Sequence, residues 1–358
     1  MHFPKRTSYR DDLRLFPDQA TVWQYLLLFA VLLLLPLFAG DYILSQATFV
    51  FIYGIVALGM MLLVGYTGQI SLGHAAFFAV GAYVAAVLQV RGMAFLPAFA
   101  AAGAVSGIVG LIIGLPALRV KGVYLAMATL SFAFIVEEVI VRWGSMTRGN
   151  RGLTVPDPVI FGHKFGTSAH IYYLSMVVFW LVVLVIINVL RSRTGRALGA
   201  LRDSDVAAES MGINLAQFKT TAFVISAVAT GLAGALYAHK LAYISPEQFG
   251  IMVSVEFLMM IIIGGLGSLH GAVFGAMFFI LLPQMIVGIK NVLPAKIAAL
   301  PVLESATFGI LVILFVMFEP RGLNGYWVRL KTYLSLFPFY RQGMFRRNRI
   351  AASDLIKH

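Results

Sequence analysis

Long apolar stretches, each about the length of a membrane-spanning helix, follow one another through most of this chain. A helix of roughly 20 residues crosses the hydrocarbon core of a bilayer, and the sequence predicts about ten such spans. Their expected limits are residues 22–39, 43–64, 75–90, 95–117, 122–141, 171–190, 217–238, 253–267, 270–289 and 302–318. Because 60% of the 358 residues are hydrophobic and 12% are charged, a soluble fold would lack polar side chains to cover its surface. The sequence therefore predicts an all-α integral membrane protein, a polytopic bundle of helices.

Basic residues flank these spans mainly on one side of the membrane. If the N-terminus lies in the cytoplasm, most of the 27 Lys and Arg residues fall on the cytoplasmic side, as the positive-inside rule requires. The predicted organisation is a cytoplasmic N-terminal segment (1–21), a transmembrane domain (22–318) and a basic cytoplasmic tail (319–358). The net charge of +12, concentrated in the flanks and the tail, favours contact with anionic lipid and not with nucleic acid.

Two connections between the spans have a distinctive composition. The external loop 142–170 is rich in Gly, Pro, Asn and Thr, which is typical of an ordered cap built from turns. The cytoplasmic loop 191–216 instead predicts a short helix over 203–211, with Asp203 or Ser204 as its N-cap and Gly212 as its left-handed end. A short helix in the cytoplasm between two spans is a natural docking element for another protein.

Two glycine-rich segments, 65–83 and 264–276, stand at the beginning of spans. Irregular backbone at membrane depth must be buried in protein or line a wet cavity, and a helix start there can present free N–H groups to an anionic group. One interpretation is a translocation pathway, lined by Gly68, Gln69, Ser71, Gly73, His74, Gly264, Gly265 and Gly267. The other is close helix packing through small residues, with His74 hydrogen-bonded inside the bundle. The likeness of the two segments also suggests a weak parallel repeat.

Few ionisable residues fall within the predicted spans. Glu137, Glu138 and Glu256, with His239 and Lys240 at a span end, lie towards the outer ends, where interfacial side chains reach water. This scarcity argues against a carrier driven by protons or sodium ions. The chain has no cysteine, no phosphate-binding loop and no HExxH motif, so we expect no catalytic residues, no metal site and no cofactor in this chain.

From GYTGQISLGHAAFFAVGAY (65–83) onwards, the sequence resembles the LivM-type permeases of branched-chain amino acid importers of the ATP-binding-cassette (ABC) class. The resemblance continues through TRGNRGL (147–153), GRALGALRDSDVAAESMGINLAQFK (195–219), EFLMMIIIGGLGSLHGAVFGA (256–276) and FEPRGL (318–323). It implies a subunit of a bacterial inner-membrane importer, with a homologous second permease, two ATPases that bind ATP and Mg²⁺, and an external solute-binding protein. The solute would be a branched-chain amino acid or a related small polar molecule.

The resemblance also gives roles to the two loops. Permeases of this class carry a Glu-Ala-Ala-x-x-x-Gly helix that docks on the ATPase; Ala207, Ala208 and Gly212 match it, whereas Val206 replaces the Glu. The candidate coupling residues are Arg202, Asp203, Asp205, Ala207, Ala208, Glu209 and Gly212, and the candidates for binding-protein docking are Thr147, Arg148 and Arg151. Two alternatives to an ABC permease remain: an ion-coupled secondary transporter acting alone, and a membrane scaffold without transport activity.

Overall fold

The structure, a computed structural model, describes residues 19–117, 122–160, 162–290 and 322–336, with a few isolated positions between 309 and 317. Most of the predicted N-terminal segment, most of the predicted span 302–318 and the end of the basic tail lie outside the described residues. Within the described ranges, nearly all of the secondary structure is helical. The prediction of an all-α membrane protein is confirmed.

The helices follow the predicted spans closely. They are α1 (Gln19–Phe38), α2 (Asp41–Met60), α3 (His74–Val90), α4 (Phe95–Ala117), α5 (Val123–Arg142), α6 (Gly144–Thr147), α7 (Ser168–Arg191), α8 (Arg193–Asp203), α9 (Asp205–Ser210), α10 (Leu215–Leu241), α11 (Ile251–Gly264), α12 (Leu269–Lys290) and α13 (Gly322–Leu336). A π-helical turn, Met61–Gly65, extends α2. Helix α13 lies where the sequence predicts only a basic tail.

Among the described residues, seven helices are long and apolar enough to cross a membrane, and two further apolar helices are shorter. The shorter ones are Val22–Phe38 within α1, and α3. Helices α1, α4, α5 and α7 expose faces of large apolar side chains, among them Leu27, Ile112, Ile135 and Leu181. Exposing such faces to water is unfavourable, whereas lipid can cover them. The chain is therefore a multi-pass membrane protein.

Helix α10 lies at the centre of the bundle, packed against α2, α3 and α4. The backbones approach closely because glycines stand at the crossings: a Cβ atom at Gly231 would overlap Ser106 of α4, and one at Gly234 would overlap the backbone of Phe78 in α3. Lipid is as apolar as the helices themselves, so close packing of this kind, more than the hydrophobic effect, holds such helices together.

The loop 191–216, predicted to be cytoplasmic, contains the predicted short helix and a second one beside it. The Ser204 hydroxyl accepts a hydrogen bond from Ala207 N–H (3.2 Å) and caps α9, and Gly212 follows with a φ of 80°. Both features agree with the sequence prediction. Helix α8, which precedes α9, was not predicted; it buries Leu198 and Leu201 against the bundle.

The loop 142–170, predicted to be external, is ordered by turns and very short strands. Strand β1 (Leu153–Thr154) pairs antiparallel with β4 (Tyr243–Ile244), and β2 (Val159–Ile160) pairs with β3 (His163–Lys164). The β1–β4 pair fastens this loop to the connection between α10 and α11. A 3₁₀ turn, Pro246–Phe249, completes that connection and buries Phe249.

Candidate translocation and coupling sites

The start of α3 lies inside the bundle, where hydroxyl groups take up its free N–H groups. Leu72 N–H donates to Thr129 Oγ1 of α5 at 3.0 Å, and Ala75 N–H donates to Ser254 Oγ of α11 at 2.9 Å. Gly73 is held close to the same helix α5, because a Cβ atom there would lie 2.7 Å from the Thr129 carbonyl oxygen. The irregular segment before α3 is therefore tied to two neighbouring helices.

His74, the first residue of α3, is fully buried and has a partner at each ring nitrogen. Nδ1 lies 3.1 Å from Ser71 Oγ, and Nε2 lies 2.8 Å from Ser226 Oγ of α10. Gln69 is also buried, and its Oε1 accepts from the Thr67 hydroxyl at 3.3 Å. In this conformation His74 is hydrogen-bonded inside the bundle, as the packing interpretation expects. Contact between these residues and a solute remains a prediction.

The two glycine-rich segments meet each other. A Cβ atom at Gly65 would lie 2.5 Å from the amide nitrogen of Gly267, so the end of the π turn touches the break between α11 and α12. Gly264 packs directly on the backbone of Gly271, which closes α11 onto α12. Gly265 and Gly267 have φ values of 115° and 75°. These breaks thus form one contact region at the ends of α2 and α11.

Arg202, near the end of α8, reaches this contact region. Its Nη1 lies 2.5 Å from the position that a Cβ atom at Gly267 would occupy, and its charge interacts with Tyr66. Of the predicted coupling residues, Arg202 is the one that links the α8–α9 segment to the glycine breaks. The sequence placed Arg202 on the loop but gave no sign of this contact, because Gly267 is far away along the chain.

The other predicted coupling residues divide into a buried and an exposed set. Asp205 forms an ion pair with Lys219 of α10 at 2.6 Å, with side chains only 23% and 12% exposed, and Ala208 is buried against α8 and α10. The exposed positions are Asp203, Ala207, Glu209 and Gly212. Val206 and Met211 were not predicted as contacts, yet they are 77% and 81% exposed. The free face of α9 is therefore apolar as well as polar.

The predicted docking residues of the external loop also differ in exposure. Thr147 is buried. Its hydroxyl donates a hydrogen bond to the Ile140 carbonyl oxygen (2.6 Å) and accepts one from Gly149 N–H (3.2 Å). It therefore stabilises the turn after α5. The side chains of Arg148 and Arg151 are exposed, and the Arg151 carbonyl accepts from the Tyr243 hydroxyl at 2.8 Å. Of the three residues, only Arg148 and Arg151 expose their side chains on the protein surface.

The sequence profile described as the permease component of the branched-chain amino acid transport system matches residues 42–317. This range includes both glycine breaks, the α8–α9 segment and the external loop. The chain belongs to this permease family. The family and the apolar helices together assign it a role in transport, and not in enzymatic catalysis.

Individual members of the family show how similar the chain is to its relatives. The high-affinity branched-chain amino acid transport system permease proteins LivM of Salmonella typhimurium and Escherichia coli are each 31% identical over 334 residues, covering 86% of this chain and 76% of the relative. The permease protein LivH of E. coli is 27% identical over 291 residues, covering 76% of this chain and 91% of the relative. No solved structure matches the chain.

Proposed function

We propose that this permease is a membrane subunit of an ABC importer that moves branched-chain amino acids into the cell. The contact between Arg202 and Gly267 supports this proposal most directly, because it connects an exposed cytoplasmic segment to the glycine breaks inside the bundle. A carrier working alone has no need for such a segment, whereas a subunit driven from outside needs a part that receives the movement. The names of the LivM and LivH relatives support the choice of substrate.

The proposed assembly contains a second, homologous permease, two ATPase subunits, an external solute-binding protein and surrounding lipid. ATP and Mg²⁺ bind to the ATPases, and this chain supplies no cofactor. The face of α9 around Val206 and Met211 docks on an ATPase, with Asp203 and Glu209 as polar contacts. The loop bearing Arg148 and Arg151 meets the binding protein, where exposed charges chiefly accelerate encounter.

The proposed topology has ten transmembrane helices and both termini in the cytoplasm of a bacterial inner membrane. The seven long helices and the two shorter ones account for nine, and the predicted span 302–318 is the tenth. In this orientation α8 and α9 lie in the cytoplasm, the glycine breaks at the ends of α2 and α11 lie within the bundle towards its cytoplasmic side, and the β1–β4 pair lies outside.

The proposed mechanism is alternating access. Binding of ATP draws the ATPases together, α9 moves with them, and Arg202 carries the displacement to the break at Gly267. Because Gly65 and Gly267 touch, a shift of one break must move the other. The inner ends of the two permeases are then drawn together, which closes the inner side while the outer side opens, and ATP hydrolysis reverses the movement.

Hydrolysis of ATP by the purified complex tests this proposal. The chain is co-expressed with its partner permease and ATPases, reconstituted in lipid, and supplied with binding protein and a panel of leucine, isoleucine, valine, urea and short amides. We expect stimulation by the three branched-chain amino acids. Stimulation by urea or amides alone would overturn the substrate, and failure of the ATPases to co-purify would favour an ion-coupled carrier.

A further inference from the structure

Five partly exposed side chains lie close together on the outer halves of α2, α10 and α11. They are Phe49, Tyr53, Tyr237, Lys240 and Glu256, and we call this group the outer aromatic cleft. Three of its rings form a triangle, with centroid distances of 6.4 Å (Phe49 to Tyr53), 6.2 Å (Phe49 to Tyr237) and 6.4 Å (Tyr53 to Tyr237). The rings make a continuous apolar wall with a polar hydroxyl on two of its three members.

A cation and an anion lie beside this wall. Lys240 Nζ lies 5.9 Å from the Phe49 ring centroid, with the Asp41 carboxylate also within electrostatic range, and Glu256 of α11 lies within electrostatic range of Tyr53 and Tyr237. Within the described part of the chain, neither charge forms an ion pair or a conventional hydrogen bond with another side chain. Lys240 and Glu256 can therefore form hydrogen bonds with another molecule beside the aromatic wall.

The position of Glu256 argues against a lipid-facing surface. It lies five residues into α11, which places it about 7.5 Å below the start of the helix. A carboxylate at this depth is costly against lipid, and such residues usually face an aqueous cavity or another protein. The middle parts of α4 and α7 instead expose large apolar side chains, among them Ile108, Ile112, Leu181 and Leu184. The outer aromatic cleft therefore faces water or the proposed partner permease.

The cleft ends abruptly towards the cytoplasm. One helical turn deeper than Tyr53, Tyr237 and Glu256 stand Ala57, Ala233 and Met260, and each of these has 0% exposure. All residues of α2 from Gly54 to Gly65 are buried. The polar and aromatic surface is therefore open on the outer side and closed by packed small and apolar side chains on the inner side.

We propose that the outer aromatic cleft is a binding subsite for the zwitterion of an apolar α-amino acid during its passage. Lys240 binds the α-carboxylate, Glu256 binds the α-ammonium group, and the wall of Phe49, Tyr53 and Tyr237 holds the aliphatic side chain. A zwitterion gives both Lys240 and Glu256 a hydrogen-bonded partner of opposite charge, which a molecule with one charge or none cannot do. This inference rests on the proposed function and adds the chemistry by which the permease itself recognises its solute.

Cysteine labelling tests whether the cleft is open and occupied. The chain contains no cysteine, so single-cysteine variants need no further background mutation. In the assembled complex, Tyr53→Cys should react with a water-soluble methanethiosulfonate added outside, and millimolar L-leucine should slow that reaction. Ala57→Cys, one turn deeper, and Leu181→Cys, on a lipid-facing side, should stay unreactive. Equal labelling of Tyr53→Cys and Leu181→Cys, or labelling unaffected by leucine, would overturn the inference.

Charge variants test the two polar contacts. Glu256→Gln and Lys240→Gln should each lower ATP-driven leucine uptake in proteoliposomes about tenfold, since a hydrogen bond to a charged group is worth about 1.4 kcal/mol or more. Glu256→Asp should restore part of the loss, which a purely structural role would not predict. Glu138→Gln is the matched control, because Glu138 is an exposed carboxylate on α5 that pairs with Arg142.

The outcomes separate this inference from the proposed function. If the wild-type complex does not import leucine, the proposed function fails and the subsite falls with it. If the wild-type complex imports leucine but Glu256→Gln and Lys240→Gln match Glu138→Gln, only the subsite is overturned. Co-purification of the ATPases with each variant shows that a loss of uptake does not come from a loss of assembly.

Discussion

Removing the Lys219 cation should uncouple ATP hydrolysis from transport. Lys219→Met removes the cation of the Lys219–Asp205 ion pair, a 2.6 Å contact between α10 and α9. Breaking a buried pair costs about 3–5 kcal/mol and an exposed pair at most about 1 kcal/mol. With side chains 12% and 23% exposed, this pair lies between those limits, and we expect a loss of about 2 kcal/mol.

That loss falls on the docking of α9 and not on the bundle as a whole. Helix α9 has six residues and buries only Ala208, which packs against α8 and α10, so the ion pair supplies a large part of its attachment to α10. A change of about 2 kcal/mol shifts a local equilibrium about 30-fold. If α9 detaches from α10, it can still bind the ATPase, but its movement no longer displaces α10 and Arg202. Hydrolysis therefore continues while uptake falls.

The assay measures ATP hydrolysed per leucine imported in proteoliposomes. We expect this ratio to rise several-fold in Lys219→Met. Arg142→Met is the control, because it breaks an exposed ion pair with Glu138 on α5, with side chains 80% and 56% exposed, and should leave the ratio unchanged. An unchanged ratio in Lys219→Met, with normal assembly, would refute a coupling role for the contact between α9 and α10.

Three further substitutions have distinct expected outcomes. Gly212→Leu should abolish uptake, because a bulky side chain would stand on the proposed docking face of α9. The protein should stay in the membrane, because the site is open and a φ of 80° costs only about 1–2 kcal/mol in a non-glycine residue. Normal uptake would argue against docking there. Gly73→Ala should lower the thermal stability of the purified complex, since its Cβ would lie 2.7 Å from the Thr129 carbonyl oxygen; an unchanged melting temperature would mean that α5 gives way. Arg202→Gln should reduce uptake more than it reduces ATP hydrolysis, because it removes the charge beside Gly267; a proportional loss of both would indicate an effect on the ATPase contact alone.

The helices could be predicted because hydropathy acts locally. A span needs only enough consecutive apolar residues, and the predicted limits 43–64, 95–117 and 171–190 fall within a few residues of α2, α4 and α7. Capping is equally local, which explains why Ser204, one of the two predicted N-caps, and Gly212 do stand at the two ends of α9. Helix α13 was missed because its sequence mixes apolar and basic residues and resembles neither a span nor a loop.

The candidate sites could be predicted only in part because they depend on contacts between distant residues. The glycine segment before α3 was recognised, but Ser226 and Ser254, which hold its N–H groups and His74, are ordinary residues in apolar helices. Thr147 was grouped with Arg148 and Arg151 by its motif, and only the fold shows that it is buried. Lys240 and Glu256 looked like interfacial residues until their position beside one aromatic wall was known.

The source of energy for uptake tests the central claim most directly. Proteoliposomes that contain this chain, its partner permease and the ATPases, with binding protein and radiolabelled leucine on the binding-protein side, are compared with and without ATP, and with ionophores that collapse ion gradients. The account predicts leucine accumulation that requires ATP and is unaffected by the ionophores. Accumulation driven by an ion gradient in liposomes containing this chain alone would contradict it.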